Sequence, residues 1–485
     1  MKPIIGFAPD ADPTTPGVLT DCQHLVPFEA GFKGAPAPVP AALAALAAPC
    51  RGAAVVTKLD GTRRVFAATQ THIYEATGSA WTDRSKPGGY TGSTESRWSI
   101  CQFGDTTIFS NLVDPMQSSN AAAFADIAGA PRAKIVVSAS NNFVIAFGTN
   151  EGTYGVSPDR WWCCAQSDQT NWTPSVATGA TTGRLVAVEG AIQAALPLGD
   201  YVVAYKARGI FLGQFVGAAQ GSWAWQAIRG AEAGAVGPEA VCDIGGVHFF
   251  ASNDDFWLFD GTAPVSIGDG VVRRWWADNC SPTYRYRTSV SYDRRNSLVR
   301  VRYPSKNSTG ALDRCLVYHT KRKAWGVDDM VVQAPLNYIA PGVAIDGLDS
   351  YAPTIDALPN VPVDSQFWMG GGETPAFFDA SNQLQSLSGV CVDSSLTTGD
   401  IGDDDAVTMI ERFRIRFTRN PATAEATGLR KWTEGEELVP DAMCALNDGK
   451  FDLQQSGRWH RVRVDMTGDH SETLYAPVLK VVGGR

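Results

Sequence analysis

Tight-turn dipeptides recur along this chain at intervals of roughly forty to sixty residues: Asp60-Gly61, Gly104-Asp105, Asn141-Asn142, Gly199-Asp200, Gly245-Gly246 and Asp293-Arg294. Each lies between two short runs in which apolar and polar residues alternate, the pattern of strands joined by a hairpin. The first unit reads most clearly. Gly52 to Lys58, Arg64 to Thr69 and His72 to Glu75 are strands, Thr77-Gly78 is a second turn, and Trp81 closes the unit. Five similar units follow, ending near Phe124, Trp172, Trp225, Ile267 and Trp325.

About four strands in a period of roughly 40–50 residues is the signature of a β-propeller blade. A weaker seventh unit lies around Phe367 to Leu387, where Ala376-Phe377-Phe378-Asp379 resembles a strand of the earlier units. A set of packed β-sandwiches with the same local hairpins is the alternative.

The fold class expected is therefore mainly β: a propeller-like repeat of four-stranded meanders with an extended N-terminal arm and a small C-terminal β domain. Residues 1–50 form the arm, because Pro and Gly interrupt them throughout, and Ala41 to Ala48 allows two helical turns at most. Residues 51–340 carry about six blades, and 341–394 a connector with the possible extra blade. Residues 395–485 form the C-terminal β domain. There Glu411 to Phe417 alternates strictly, with Arg on one face and apolar residues on the other.

Composition supports this division. Gly (48) and Pro (28) are spread along the 485 residues, as many tight turns require. Fourteen Trp supply aromatic surface that a disordered chain lacks. A formal charge of −9 argues against a protein that grips nucleic acid over its surface, since phosphate binding needs a basic footprint. The ten Cys are scattered without CxxC or Cys/His spacing and read as small buried hydrophobes made in a reducing cytoplasm. The N-terminus lacks a signal-peptide layout, and the Ala/Pro-rich stretch from Ala35 to Pro49 is too short to span a bilayer. A soluble product, not exported by the usual route and not inserted in a membrane, is expected.

Chemistry-bearing motifs are missing. Neither GxxxxGK[ST] nor GxGxxG between a strand and a helix occurs, and Gly370-Gly371-Gly372 reads as a turn. The six His are far apart, without HExxH, and GxSxG is absent. Cys163-Cys164 beside Trp161-Trp162 matches no nucleophile signature. Asp254-Asp255 is the nearest approach to the acid of a propeller glycosidase, but no Gly follows, and it reads as a turn. Asp400 to Asp405 could offer oxygen ligands to calcium, yet lacks the closing Glu of an EF-hand and reads as a solvated joining loop. No catalytic residue, metal or cofactor is expected.

The strongest charge feature is basic. Arg273, Arg274, Arg285, Arg287, Arg300 and Arg302, with Arg294 and Arg295, face only Asp278 and Asp293 in that span. These arginines could touch phosphate in a channel, pair with acids of a neighbouring subunit, or form a solvated face. Tyr284-Arg285-Tyr286-Arg287 alternates, which on a strand sends rings and guanidiniums to opposite faces.

Several segments together resemble a known family. They are Ile5-Gly6-Phe7-Ala8-Pro9-Asp10 with Thr15-Pro16-Gly17 and Lys33-Gly34-Ala35-Pro36, and Cys50-Arg51-Gly52-Ala53-Ala54 through Trp81-Thr82-Asp83. Tyr201 to Gly213, Val265 to Gly270 before Trp275-Trp276, and Gly457-Arg458-Trp459-His460-Arg461 extend the likeness. The chain resembles the tail nozzle, or hub, of short-tailed bacteriophages. The resemblance covers most of the chain and carries no catalytic residues. It implies a non-enzymatic virion protein, assembled in the host cytoplasm into a ring of about six copies with a central channel for genome ejection. Its implied partners are an adaptor ring and tail fibre or spike proteins, with DNA passing through without specific binding. A propeller adhesin or lectin for host glycans, or a propeller glycosidase, are the alternative readings.

Overall fold

Asn141 and Asn142 both take positive φ, 58° and 59°. Two such residues in succession form the turn whose twist matches a right-handed hairpin, and Asn tolerates that region better than most side chains. At Asp60-Gly61 the device differs: Gly61 supplies φ 84°, and Asp60 Oδ1 accepts the N–H of Thr62 at 2.8 Å and its hydroxyl at 2.6 Å. At Gly245-Gly246, Asp243 Oδ1 accepts both glycine N–H groups. Local chemistry of this kind fixes where each strand reverses.

The structure is a computed structural model that describes residues 1–229, 232–339, 354, 372–433 and 435–484. Apart from Thr354, the expected connector at 341–365 lies outside the described residues, as do Gly370, Gly371 and the start of the possible seventh unit. The chain is mainly β, a β-propeller of four-stranded antiparallel sheets, six of which occur among the described residues. It divides into two compact units. One comprises 1–38, 230–331 and 388–485, the other 39–229 and 332–387.

The second unit holds five of the four-stranded sheets. Four follow in sequence order, from Gly52–Thr57 through Ala80–Asp83 to Ile192–Leu198 through Ser222–Ala227. The fifth is made by Ala334–Tyr338, Thr374–Phe378 and Leu384–Gly389, with Ala37–Pro40 from the other end of the chain as its outer strand. Successive side chains on a strand point to opposite faces, so a strand packed on both sides must be apolar throughout. Residues 65–68 obey this rule within the strand Arg63–Ala68, which begins with two arginines. Phe66 and Ala68 pack toward Trp98, Phe109 and Phe124 of the next sheet, while Val65 and Ala67 pack toward Leu336, Ala376 and Phe378. The third and fourth sheets meet through Phe143, Ile145 and Trp161 against Val202, Phe211 and Trp223.

The first unit holds the sixth four-stranded sheet, Val241–Asp243 through Pro264–Ser266, and two larger sheets. In the ten-stranded sheet the meander Ser289–Asp293, Leu298–Tyr303, Arg314–His319 and Ala324–Val327 continues into the N-terminal strands Leu25–Phe28 and Gly31–Gly34. The C-terminal strands Ser471–Gly484, Ala406–Arg419 and Gln455–Gly457 follow. The seven-stranded sheet likewise joins Gly6–Phe7 and Val18–Gln23 to Asp393–Thr398, Trp459–Thr467, Thr423–Lys431 and the edge strand Val439–Ala445. One apolar core, including Phe7, Phe32, Trp276, Trp325, Phe413 and Tyr475, lies in this unit. The N-terminal segment read as an arm is thus strand material woven into sheets with the C-terminal strands. Ala41 to Ala48 forms no helix.

Candidate functional site

The six arginines singled out in the sequence all lie in the first unit, and the structure separates them by burial. Arg273 and Arg274 are exposed on the helix Arg273–Asn279, where Arg273 pairs with Asp269 at 3.2 Å. Arg285 is a staple: Nη1 donates to Asn253 O at 2.5 Å, and Nη2 to the carbonyls of Ala277 and Cys280, each at 3.3 Å. Arg287 donates to Gly310 O at 2.7 Å.

The alternation expected across Tyr284 to Arg287 is not that of a strand, because Arg285–Arg287 is a short 3-10 helix. The Arg287 guanidinium consequently lies 4.8 Å from the Tyr284 ring centre instead of on the opposite face.

Arg300 and Arg302 are 2% and 1% exposed. Both point to one side of Leu298–Tyr303, while Val299, Val301 and Tyr303 enter the core on the other. Arg300 lies between Asp293, 3.4 Å away, and Asp328, 3.7 Å away, both buried. Arg302 Nη1 donates to Ser291 Oγ at 2.7 Å, while its Nε and Nη2 have no acceptor among the described residues. Burial lowers the Arg302 pKa and raises that of Asp328, the latter opposed first by Arg300. Side chains this deep cannot meet phosphate or the acids of a neighbouring subunit, which corrects that reading for Arg300 and Arg302.

The other sequence candidates have structural partners. Cys163 and Cys164 are fully buried, and burial pushes their thiols up to about 12 and about 11, far from a thiolate at neutral pH. Asp254 is exposed, but Asp255 is buried and accepts Ser266 Oγ at 2.6 Å and its neighbour's N–H at 2.7 Å. Asp400 is not part of a solvated loop. Its two oxygens are clamped by Lys431 Nζ at 2.9 Å and Arg461 Nε at 2.5 Å. Asp403, Asp404 and Asp405 are the exposed part of that run. Among the described residues, no group of three or more His, Cys, Asp or Glu converges as a metal site.

One constellation had no sequence signature. Ser394 Oγ lies 2.6 Å from His470 Nε2, and His470 Nδ1 lies 2.7 Å from Glu472 Oε2. That is the order of a hydrolase relay, which is recognised by geometry and not by chain position. The surroundings argue for another role. Ser394 is 4% exposed and lies on Asp393–Thr398, a strand paired on both sides, not on an exposed elbow. Gly34 closes over the group: a Cβ there would fall 2.6 Å from Cys391 Sγ and 2.9 Å from His470 Nε2. We read the set as a buried tie between Asp393–Thr398 of the seven-stranded sheet and Ser471–Gly484 of the ten-stranded one.

The exposed features lie on the C-terminal strands. Arg412, Arg414 and Arg416 face outward from Ala406–Arg419, while Phe413 and Ile415 enter the core. On the partner strand Ser471–Gly484, Val478, Leu479, Val481 and Val482 are 39%, 41%, 66% and 49% exposed. Val439 and Met443 are exposed on the edge strand Val439–Ala445. The Arg alternation was legible in the sequence. The apolar run was not, because nothing in it says that past Tyr475 its strand is paired on one side only, with Ala406–Arg419.

No protein-family model matches the chain, and no curated protein matches its sequence. Solved structures match it at low similarity. A structure described as YCF48 bound to D1 peptide is 12% identical over 62% of this chain and 87% of the other, with a TM-score of 0.35. One of BBS1N in complex with ARL6DN is 11% identical over 73% and 97%, TM-score 0.37. PorZ, a surface component of the type-IX secretion system of Porphyromonas gingivalis, is 11% identical over 82% of this chain and 46% of its own, TM-score 0.37.

Proposed function

We propose that the chain is a non-catalytic structural subunit that assembles with copies of itself into a ring, as the resemblance to short-tailed phage nozzles implies. The observation that carries the reading is the exposed apolar run Val478, Leu479, Val481 and Val482. Four apolar side chains within five residues, open on both faces of a strand, mark a protein contact surface. Exposed Val439 and Met443 on a separate strand provide a second, different apolar surface. A contact between unlike surfaces of identical chains closes into a ring when the rotation allows it. Pro440 and Pro477 lie on these strands, and proline disfavours extension of a ladder, so the contact is one of side-chain packing. In this reading the ring belongs to a phage tail, joins an adaptor ring and fibre proteins, and passes DNA through its channel.

Electron microscopy and mass photometry of the full chain, alone and with its adaptor ring, test the proposal. The expected result is a ring of about six copies that Leu479→Asp with Val481→Asp abolishes without loss of folding. A chain that stays monomeric under both conditions and binds or cleaves host glycan would replace this reading with an adhesin or a glycosidase.

A further inference from the structure

Within a chain of charge −9, one exposed strand carries a regular basic row. Arg412, Arg414 and Arg416 pair with Val478, Ala476 and Leu474 in unbroken register between irregularities on either side of this stretch. Side chains at i, i+2 and i+4 of an antiparallel strand share one face at a spacing of about 6.8 Å. None of the three cross-strand partners is acidic. Arg412 is balanced by Asp452 at 3.0 Å, an open pair with side chains 48% and 42% exposed. Arg419, beyond the irregularity, pairs with Asp469. The side chains of Arg414 and Arg416 are exposed and make no hydrogen bond or ion pair among the described residues.

We propose that this row contacts the sugar-phosphate backbone of a nucleic acid. The row is basic, exposed and mostly without counter-charges, and a nucleic-acid backbone presents a continuous line of phosphate anions. Guanidinium forks bind phosphate oxygens bidentately and read no sequence in doing so. Two unpaired arginines, with a third released from a solvent-screened pair, make a contact of at most three phosphates. Such a contact is weak, independent of sequence and easily displaced by salt. The acidic remainder of the chain keeps it from spreading into a general grip. This inference does not depend on ring formation, since the row belongs to a single chain.

The test is fluorescence anisotropy with a short labelled duplex of mixed sequence, titrated with the full-length protein across a series of low salt concentrations. The expected slope of log affinity against log salt is about −2.7 for three phosphates. Arg414→Gln with Arg416→Gln should make it shallower by about 1.8 and weaken binding about tenfold at the lowest salt. The Lys double variant should keep the slope, because it keeps the charge. Mass photometry of each variant is run in parallel. No binding at low salt, or an unchanged slope in the Gln variant, overturns the proposal. Loss of self-association in the Gln variant with DNA affinity intact would instead assign the row to an acidic surface of a second copy.

Discussion

His470 Nδ1 lies 2.7 Å from Glu472 Oε2, and neither side chain reaches solvent. Two residues apart, they share a face as Ser394 approaches the other ring nitrogen at 2.6 Å. Burial raises the Glu472 pKa above 4.5, opposed by the bond to His470, and Glu472 Oε1 has no hydrogen-bond partner among the described residues. A carboxyl whose folded pKa is raised contributes stability fully below 4.5, and that contribution is lost as pH rises through the folded value. Glu472→Gln, which cannot ionise, should remove this part of the decline on the alkaline side while keeping a group for His470. Glu472→Leu should cost about 2 kcal/mol by leaving Nδ1 unpaired in a dry site. Denaturant midpoints followed through this pH range check both.

Glu75 has the opposite sign. Burial raises its pKa, but Arg64 at 2.6 and 3.2 Å and Arg84 at 2.7 Å outweigh that, and the net shift is downward from 4.5. Its contribution is therefore present above 4.5 and lost as pH falls through the folded value. Arg64 is 7% exposed and also reaches Ser119 of the next sheet at 3.4 Å. Glu75→Gln should leave Arg64 buried without a counter-charge and cost about 3 kcal/mol. It should also flatten the acid limb of the stability profile, measured by thermal unfolding.

The blades were legible because hairpins are local. Asp60-Gly61, Asn141-Asn142 and Gly245-Gly246 each declare a reversal through φ preference and side-chain capping within a few residues. What lay beyond the sequence is non-local. Alternation places Arg300 and Arg302 on one face but does not say what covers that face, and the structure buries both. Nothing near Gly31 signals that it pairs beside Glu472, and 76 residues separate Ser394 from His470. At Tyr284 to Arg287 the error was one of period. A two-residue repeat of large polar and aromatic groups suits a strand, yet a short 3-10 turn forms, closed by the Thr288 N–H donating to Arg285 O.

Arg302 offers a test of how much a buried charge stabilises. Among the described residues its guanidinium makes one hydrogen bond, to Ser291, and the nearby Asp328 Oδ2 has none. Desolvation of such a group often exceeds what its contacts return, so Arg302→Met should be neutral or stabilising by about 1 kcal/mol. Asp328→Ala removes one of the two acids around Arg300 and should cost about 3 kcal/mol. Urea midpoints of the two variants should therefore move in opposite directions, or only the second should move.

Gly31 and Gly61 separate two reasons for glycine in one fold. A Cβ at Gly31 would fall 1.9 Å from the carbonyl oxygen of Glu472, a backbone atom that yields only if two strands part. Gly31→Ala should therefore lose about 3 kcal/mol, the upper range for forced overpacking, and loosen the pairing of Gly31–Gly34 with Ser471 and Glu472. A Cβ at Gly61 would meet nothing within 4 Å among the described residues, but the φ there is +84°. Gly61→Ala should lose only about 1 kcal/mol, from a conformation that an L side chain resists. Amide exchange should tell the two apart. Gly31→Ala should speed exchange at the Ser471–Gly484 strand next to Gly31, whereas Gly61→Ala should leave that strand unchanged and affect only its own hairpin.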